Sequence, residues 1–153
     1  MEESRQGLPA VQRLQHQVEE LRERVNMDAM SGLLNRPAAE QYIKDRLRDM
    51  APGENCALFI VDLDNFKQVN DTLGHLAGDQ AIHSAAQILS RLFRASDIVG
   101  RLGGDEFAIF LCGRLTEQVL RDKGAAICRA LQFSMGDRPA VSLTASVGIY
   151  FSQ

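Results

Sequence analysis

Two apolar, β-prone runs between Asp97 and Leu111 are separated by Gly103-Gly104-Asp105-Glu106. A paired-glycine break in that setting predicts a tight hairpin, so the chain must hold at least one antiparallel strand pair. Glycine accepts positive φ and leaves the space above the backbone open. Asp105 and Glu106 therefore fall at a hairpin tip, beside a surface without side chains. Such a surface suits a hard cation bridging to phosphate oxygens. An ordinary acidic turn has the same composition, because Gly and Asp are common turn residues.

The first 27 residues differ from the rest. Val11, Leu14, Val18, Leu21 and Val25 alternate in steps of three and four, with charged and amide residues between them. This is a heptad seam with Val at a and Leu at d, the chemistry of parallel two-stranded coiled coils. A single amphipathic helix packed on its own domain would show the same short pattern. Gly32 then interrupts the helix, Asn35 can cap the next one, and Pro37 fits its first turn. That helix is expected over residues 37–50.

Cys56 to Val61 is a continuous apolar run, which predicts a strand buried on both faces. It ends in Asp62-Leu63-Asp64. Carboxylates there are costly unless solvated, paired or metal-bound. Asn65 to Leu73 reads as a short helix or turn, Gly74 breaks it, and His75 to Arg94 has a helical period. Asp79 near that helix start is also what a helix dipole favours. After the hairpin, Thr116 can cap a helix running to about Phe133. Met135 to Pro139 reads as loop and Ala140 to Phe151 as an alternating strand. Hairpin-linked strands with intervening helices imply an α+β fold with a mostly antiparallel sheet flanked by helices.

At 153 residues the chain suits one domain. Its net charge of −3 does not favour non-specific nucleic-acid binding. No apolar run is long enough to span a bilayer, and the N-terminus lacks a signal-peptide pattern. Cys56, Cys112 and Cys128 lie in apolar segments without C-x-x-C spacing, as buried reduced thiols of a cytoplasmic domain would.

Four motifs in order resemble the GGDEF domain, the catalytic module of diguanylate cyclases, from Asp28 onward. Asp28-Ala29-Met30-Ser31-Gly32-Leu33-Leu34-Asn35-Arg36 is similar to D-x-L-T-G-L-x-N-R, with Met for Leu and Ser for Thr. Residues 62–71 match D-x-D-x-F-K-x-x-N-D, residues 74–79 match G-H-x-x-G-D, and residues 103–107 carry Gly-Gly-Asp-Glu-Phe itself. The resemblance implies a palm-like, ferredoxin-like nucleotidyl cyclase architecture. It also implies condensation of two GTP molecules into cyclic di-GMP, with release of pyrophosphate, across a dimer of domains. Two Mg2+ or Mn2+ ions per active site would assist.

Carried over residue by residue, the metal ligands would be Asp62, Asp105 and the Leu63 carbonyl. Asp105 and Glu106 would be the catalytic pair, with Glu106 either a further ligand or an acid–base group. Gly103 and Gly104 would let the backbone approach phosphate. Asn70 and Asp79 would read guanine, since a carboxylate accepts from N–H groups that adenine lacks. Lys67 and His75 are further substrate-site candidates. Arg94 and Asp97, an R-x-x-D element, would form an inhibitory site for cyclic di-GMP. A helix-end Arg followed by an Asp in a turn reads the same way. Residues 1–27 would be a dimerising signalling helix and residues 28–153 the domain. The family's pattern runs on past Gln153 with a further helix and strand, so either these residues are a fragment of a longer chain or the domain lacks that segment. A receptor that binds GTP or cyclic di-GMP without catalysis, signalling through the helix, is the competing expectation.

Overall fold

The strand that organises the structure, β1 (Asn55–Asp64), carries no Gly or Pro and is rich in β-branched and aromatic residues. The computed structural model, which describes the backbone of residues 2–152, places it at the centre of an antiparallel five-stranded sheet. Its neighbours are β3 (Glu106–Gly113) on one side and β5 (Val141–Ser152) on the other. β2 (Ile98–Gly103) closes one edge and β4 (Phe133–Met135) the other, giving the order β2-β3-β1-β5-β4. The expected α+β architecture is what forms. β4 adds a short strand where only helix end and loop were expected. β1 also extends through Asp64, so Asp62 and Asp64 lie within the ladder.

Five helices complete the described chain: α1 (Glu2–Asn26), α2 (Arg36–Arg48), α3 (Phe66–Leu73), α4 (His75–Leu92) and α5 (Glu117–Ala130). Two caps form as the sequence indicates. Ala38 N–H donates to Asn35 Oδ1 (3.0 Å), and Val119 N–H donates to Thr116 Oγ1 (3.2 Å). Each such cap is worth about 1 kcal/mol.

The core lies on one side of the sheet. Ala57, Phe59, Val61 and Leu63 of β1 and Phe107, Ile109 and Leu111 of β3 meet Ile82 and Leu89 of α4 and Ile127 of α5. Full burial of each large side chain contributes about 1.5–3 kcal/mol. The expectation of a β1 buried on both faces is corrected here. Leu58, Ile60 and Asp62 are only half-buried, because α2 covers the opposite face at β2 rather than at β1. Ala39 Cβ would stand 2.8 Å from a Cβ on Gly100, so glycine is what lets α2 sit down on β2. A smaller cluster of Val69, Ala81, Val141 and Leu143 joins α3 and α4 to the start of β5.

α1 stands apart from this core. Its seam is exposed, from Val18 at 46% to Val25 at 72%. The seam is therefore not packed on its own domain. The three cysteines are free and half-buried rather than fully enclosed. Burial pushes the Cys112 thiol up.

Candidate active site

The hairpin tip follows from backbone chemistry. β2 and β3 are joined by Gly104-Asp105, Gly103 pairs with Glu106, and the register shifts between Arg101 and Gly103. Gly103 (φ +146°) and Gly104 (φ +48°) take conformations that L side chains rarely adopt. No atom stands within 4 Å of where their Cβ atoms would be, so the backbone is open to a ligand.

The ladder decides which carboxylates meet. Asp62 of β1 lies directly across from Glu106 of β3. Directly opposed residues of an antiparallel pair share a face, with Cβ atoms about 4.5–5.5 Å apart. Asp105 occupies the turn at the hairpin tip, as the sequence indicates, and its carbonyl accepts from Leu63 N–H (3.2 Å). Leu63 turns its side chain into the core and offers only backbone atoms. Asp64 is committed internally, accepting from Thr144 Oγ1 (2.9 Å) and Ser146 Oγ (2.8 Å).

Like charges directly opposed across strands are destabilising unless a counter-charge offsets them. Asp62 and Glu106 are half-buried and form no ion pair among the described residues. A cation is one counter-charge such a pair could hold. Three metal-ligating side chains do not already converge among the described residues. Two carboxylates and backbone oxygens are thus what the chain itself offers, as suits an ion that keeps water and phosphate oxygens in its shell.

α3 begins two residues past the end of β1, and α3 and α4 meet at Gly74, which ends one helix and starts the next at φ +91°. Asn70 is half-buried on α3, and Asp79 is exposed on α4. Asp79 lines a cavity of about 500 Å³ with Met30, Leu76, Gln80, His83 and Met135. Its walls mix the apolar Met30, Leu76 and Met135 with the polar Gln80, His83 and Ser84, and Asp79 is its one carboxylate. Lys67 and His75 are exposed on the same two helices, and neither they nor Asn70 line this cavity.

The Arg94–Asp97 element closes on itself. Arg94 N–H donates to Asp97 Oδ2 (2.9 Å), and Asp97 N–H donates to the Arg94 carbonyl (3.0 Å). Asp97 lines a second cavity of about 410 Å³ with Tyr42, Asp45, Arg46 and Asp49, while Arg94 is exposed and does not line it. Arg46, which the sequence reading passed over, brings the guanidinium to that cavity and donates to Glu54 Oε2 (3.1 Å).

Arg101 and Asp28 were also passed over as site residues. Arg101 Nε and Nη2 donate to the Gly104 carbonyl (3.0 and 2.7 Å), while Nη1 reaches Asp28 Oδ2 (3.1 Å). Burial pushes the Asp28 carboxyl up. Hydrogen bonds from Ser31 and Arg101, with the Arg101 charge, outweigh burial and hold it below its ordinary value. The hairpin tip is thereby strapped to the segment that follows α1. The signal for this was an Arg shortly before the glycine pair and an Asp just past the heptad helix, too far apart in sequence to be matched.

Comparison with known proteins identifies the family. The family model "Diguanylate cyclase, GGDEF domain" matches residues 25–153. Diguanylate cyclase TpbB of Pseudomonas aeruginosa is 33% identical over 147 residues, 90% of this chain and 33% of that protein. The probable diguanylate cyclase DgcC of Escherichia coli is 34% identical over 127 residues, 80% of this chain and 33% of that protein. The chain thus spans about a third of the length of these curated relatives. Among solved structures, the coiled coil and GGDEF domain of Caulobacter crescentus DgcB, in complex with cyclic di-GMP, superposes with a TM-score of 0.83. It shares 25% identity, over 96% of this chain and 80% of that one.

Proposed function

The chain belongs to the GGDEF domain family, and from that premise we propose that it is the catalytic module of a diguanylate cyclase. The substrate is GTP. The 3′-hydroxyl of one GTP attacks the α-phosphorus of a second, the bond to the β-phosphate oxygen breaks, and pyrophosphate leaves. A second displacement closes the ring. The observation that carries this reading is the opposed pair Asp62 and Glu106 beside the open Gly103-Gly104 backbone.

Asp62, Asp105, Glu106 and the Leu63 carbonyl would hold two divalent cations, Mg2+ or Mn2+. When bound, these polarise the phosphates and lower the pKa of the attacking hydroxyl. Glu106 serves as a ligand or takes the hydroxyl proton. Gly103 and Gly104 present backbone N–H groups to phosphate. Asn70 and Asp79 recognise guanine, and Lys67 and His75 flank the nucleotide. Each domain holds one nucleotide, so two copies must face each other. The exposed seam of α1 supplies the pairing surface, which makes residues 1–27 a dimerising helix and residues 28–153 the catalytic domain. Cyclic di-GMP also binds as an inhibitor at Arg94 and Asp97, where the cavity beside Asp97 adds Arg46.

Incubation of the full-length protein with GTP and Mg2+, followed by chromatography, is expected to yield cyclic di-GMP and two pyrophosphates per product. Absence of product from a preparation that binds GTP would overturn the catalytic reading.

A further inference from the structure

Gly78 sits early in α4, buried and with an ordinary helical backbone. Glycine inside a helix is about 1 kcal/mol less favourable than alanine, and no positive φ requires it here. What requires it is space. A Cβ at position 78 would stand 1.8 Å from Asn70 Oδ1 and 2.9 Å from Asn70 Cγ, closer than real Cβ atoms approach. The side-chain amide of Asn70 fills the volume that any other residue at 78 would occupy.

The two residues face each other across the α3–α4 corner, and the corner is braced. Gly74 N–H donates to the Asn70 carbonyl (3.0 Å), and Gly78 N–H donates to the Gly74 carbonyl (3.3 Å). Neither backbone can retreat without breaking this chain of bonds. Among the described residues Asn70's amide has no hydrogen-bond partner and is seated by contact with α4, so its donor and acceptor stay available there. Asp79, on the wall of the cavity of about 500 Å³, is the next residue.

We propose that Gly78 is a positioning residue for base selection: its missing side chain is the notch that seats the Asn70 amide against the nucleobase. The inference rests on the assignment of Asn70 to guanine given above, and it locates the source of that residue's orientation. A methyl group at 78 turns the amide out of the notch while leaving Asp79 in its helical place.

The test is a double-mutant cycle on the full chain, with GTP and ATP titrated calorimetrically into the parent, Gly78→Ala, Asn70→Ala and the double variant. Gly78→Ala is expected to weaken GTP binding about tenfold or more, the scale of a lost base contact, and to leave ATP binding unchanged. In the Asn70→Ala background the same substitution should cost nothing further, because the clashing amide is gone. Equal losses from Gly78→Ala with and without the Asn70 amide would overturn the inference. If Asn70→Ala weakens GTP binding and Gly78→Ala does not, the notch alone is wrong. If Asn70→Ala changes nothing, the guanine assignment itself fails. Should Gly78→Ala misfold, recovery of the fold in the double variant supports the notch, and continued misfolding refutes it.

Discussion

The hairpin tip and the N-terminal helix are built in opposite ways. At the tip, every candidate group is positioned by the domain. Strand register sets Asp62 against Glu106, a backbone bond ties Leu63 to Asp105, and Arg101 clamps the Gly104 carbonyl. α1 instead projects its apolar seam into solvent and is fastened at its C-terminal end. There Asn35 N–H donates to the Asn26 carbonyl (2.8 Å), and Asn35 Nδ2 donates to the Val25 carbonyl. The contrast is between groups whose positions are fixed within one copy and an apolar surface left open; on the proposed reading the first set half of a two-copy site and the second governs how two copies are brought together. Substitutions at the tip should therefore act at any protein concentration, and those in the seam only at low concentration.

The largest effect is expected at the tip. Glu106→Gln removes one of two opposed charges without changing shape. Turnover of the full-length enzyme should fall by about 10²–10⁴-fold at all enzyme concentrations, with the sedimentation profile unchanged. A variant that recovers as protein is concentrated would show that the tip, too, depends on assembly.

The seam should give the next largest effect, and only in dilute solution. Leu14→Glu with Leu21→Glu places charge at both d positions, and a seam this short is marginal to begin with. Specific activity at low enzyme concentration should drop at least tenfold, rising again with concentration as mass action restores pairs. GTP affinity of the single domain should not move. Activity indifferent to both dilution and substitution would place the dimer contact elsewhere.

The hairpin, both caps and the helix order were legible because local rules govern them: paired glycines between apolar runs, cap residues before periodic segments. The facing of the acidic groups was not. A one-residue change in register moves a side chain to the other face of a sheet, and composition alone left Asp105 and Glu106 equivalent. The apolar run of β1 likewise said nothing about which face the helices would cover. β4, three residues long, has no period to read. Arg46 and Gly78 stand out only through their place in space, Arg46 on the cavity wall it shares with Asp97 and Gly78 against Asn70.

The cavity beside Asp97 yields a prediction of intermediate size. If product is gripped from within it, Arg46→Ala should weaken cyclic di-GMP binding about tenfold, the scale of one charge-assisted contact. The exposed Arg94 side chain would contribute by closing over bound ligand, so Arg94→Ala should also weaken product binding. Undiminished affinity in Arg94→Ala, measured calorimetrically, would leave Arg46 as the cavity's guanidinium and remove Arg94 from the site.

The smallest effect concerns the strap between the two regions. Asp28 and Arg101 keep side-chain exposures of 23% and 16%, so their pair is only partly screened. The folded Asp28 carboxyl lies below its ordinary value. Folding therefore favours the charged form. The stabilisation is fully present above the unfolded value of about 3.9 and is lost as pH falls through the folded one. Asp28→Asn removes this dependence. Denaturant unfolding should show the parent more stable than the variant at neutral pH by about 1–3 kcal/mol, with the gap narrowing progressively below about pH 4. Because Arg101 also holds the Gly104 carbonyl, Asp28→Asn should raise the KM for GTP modestly at neutral pH and leave the dimer equilibrium of α1 unchanged. A gap that persists undiminished in acid would mean that Asp28 acts by packing alone, and that the tip and the helix are not joined through its charge.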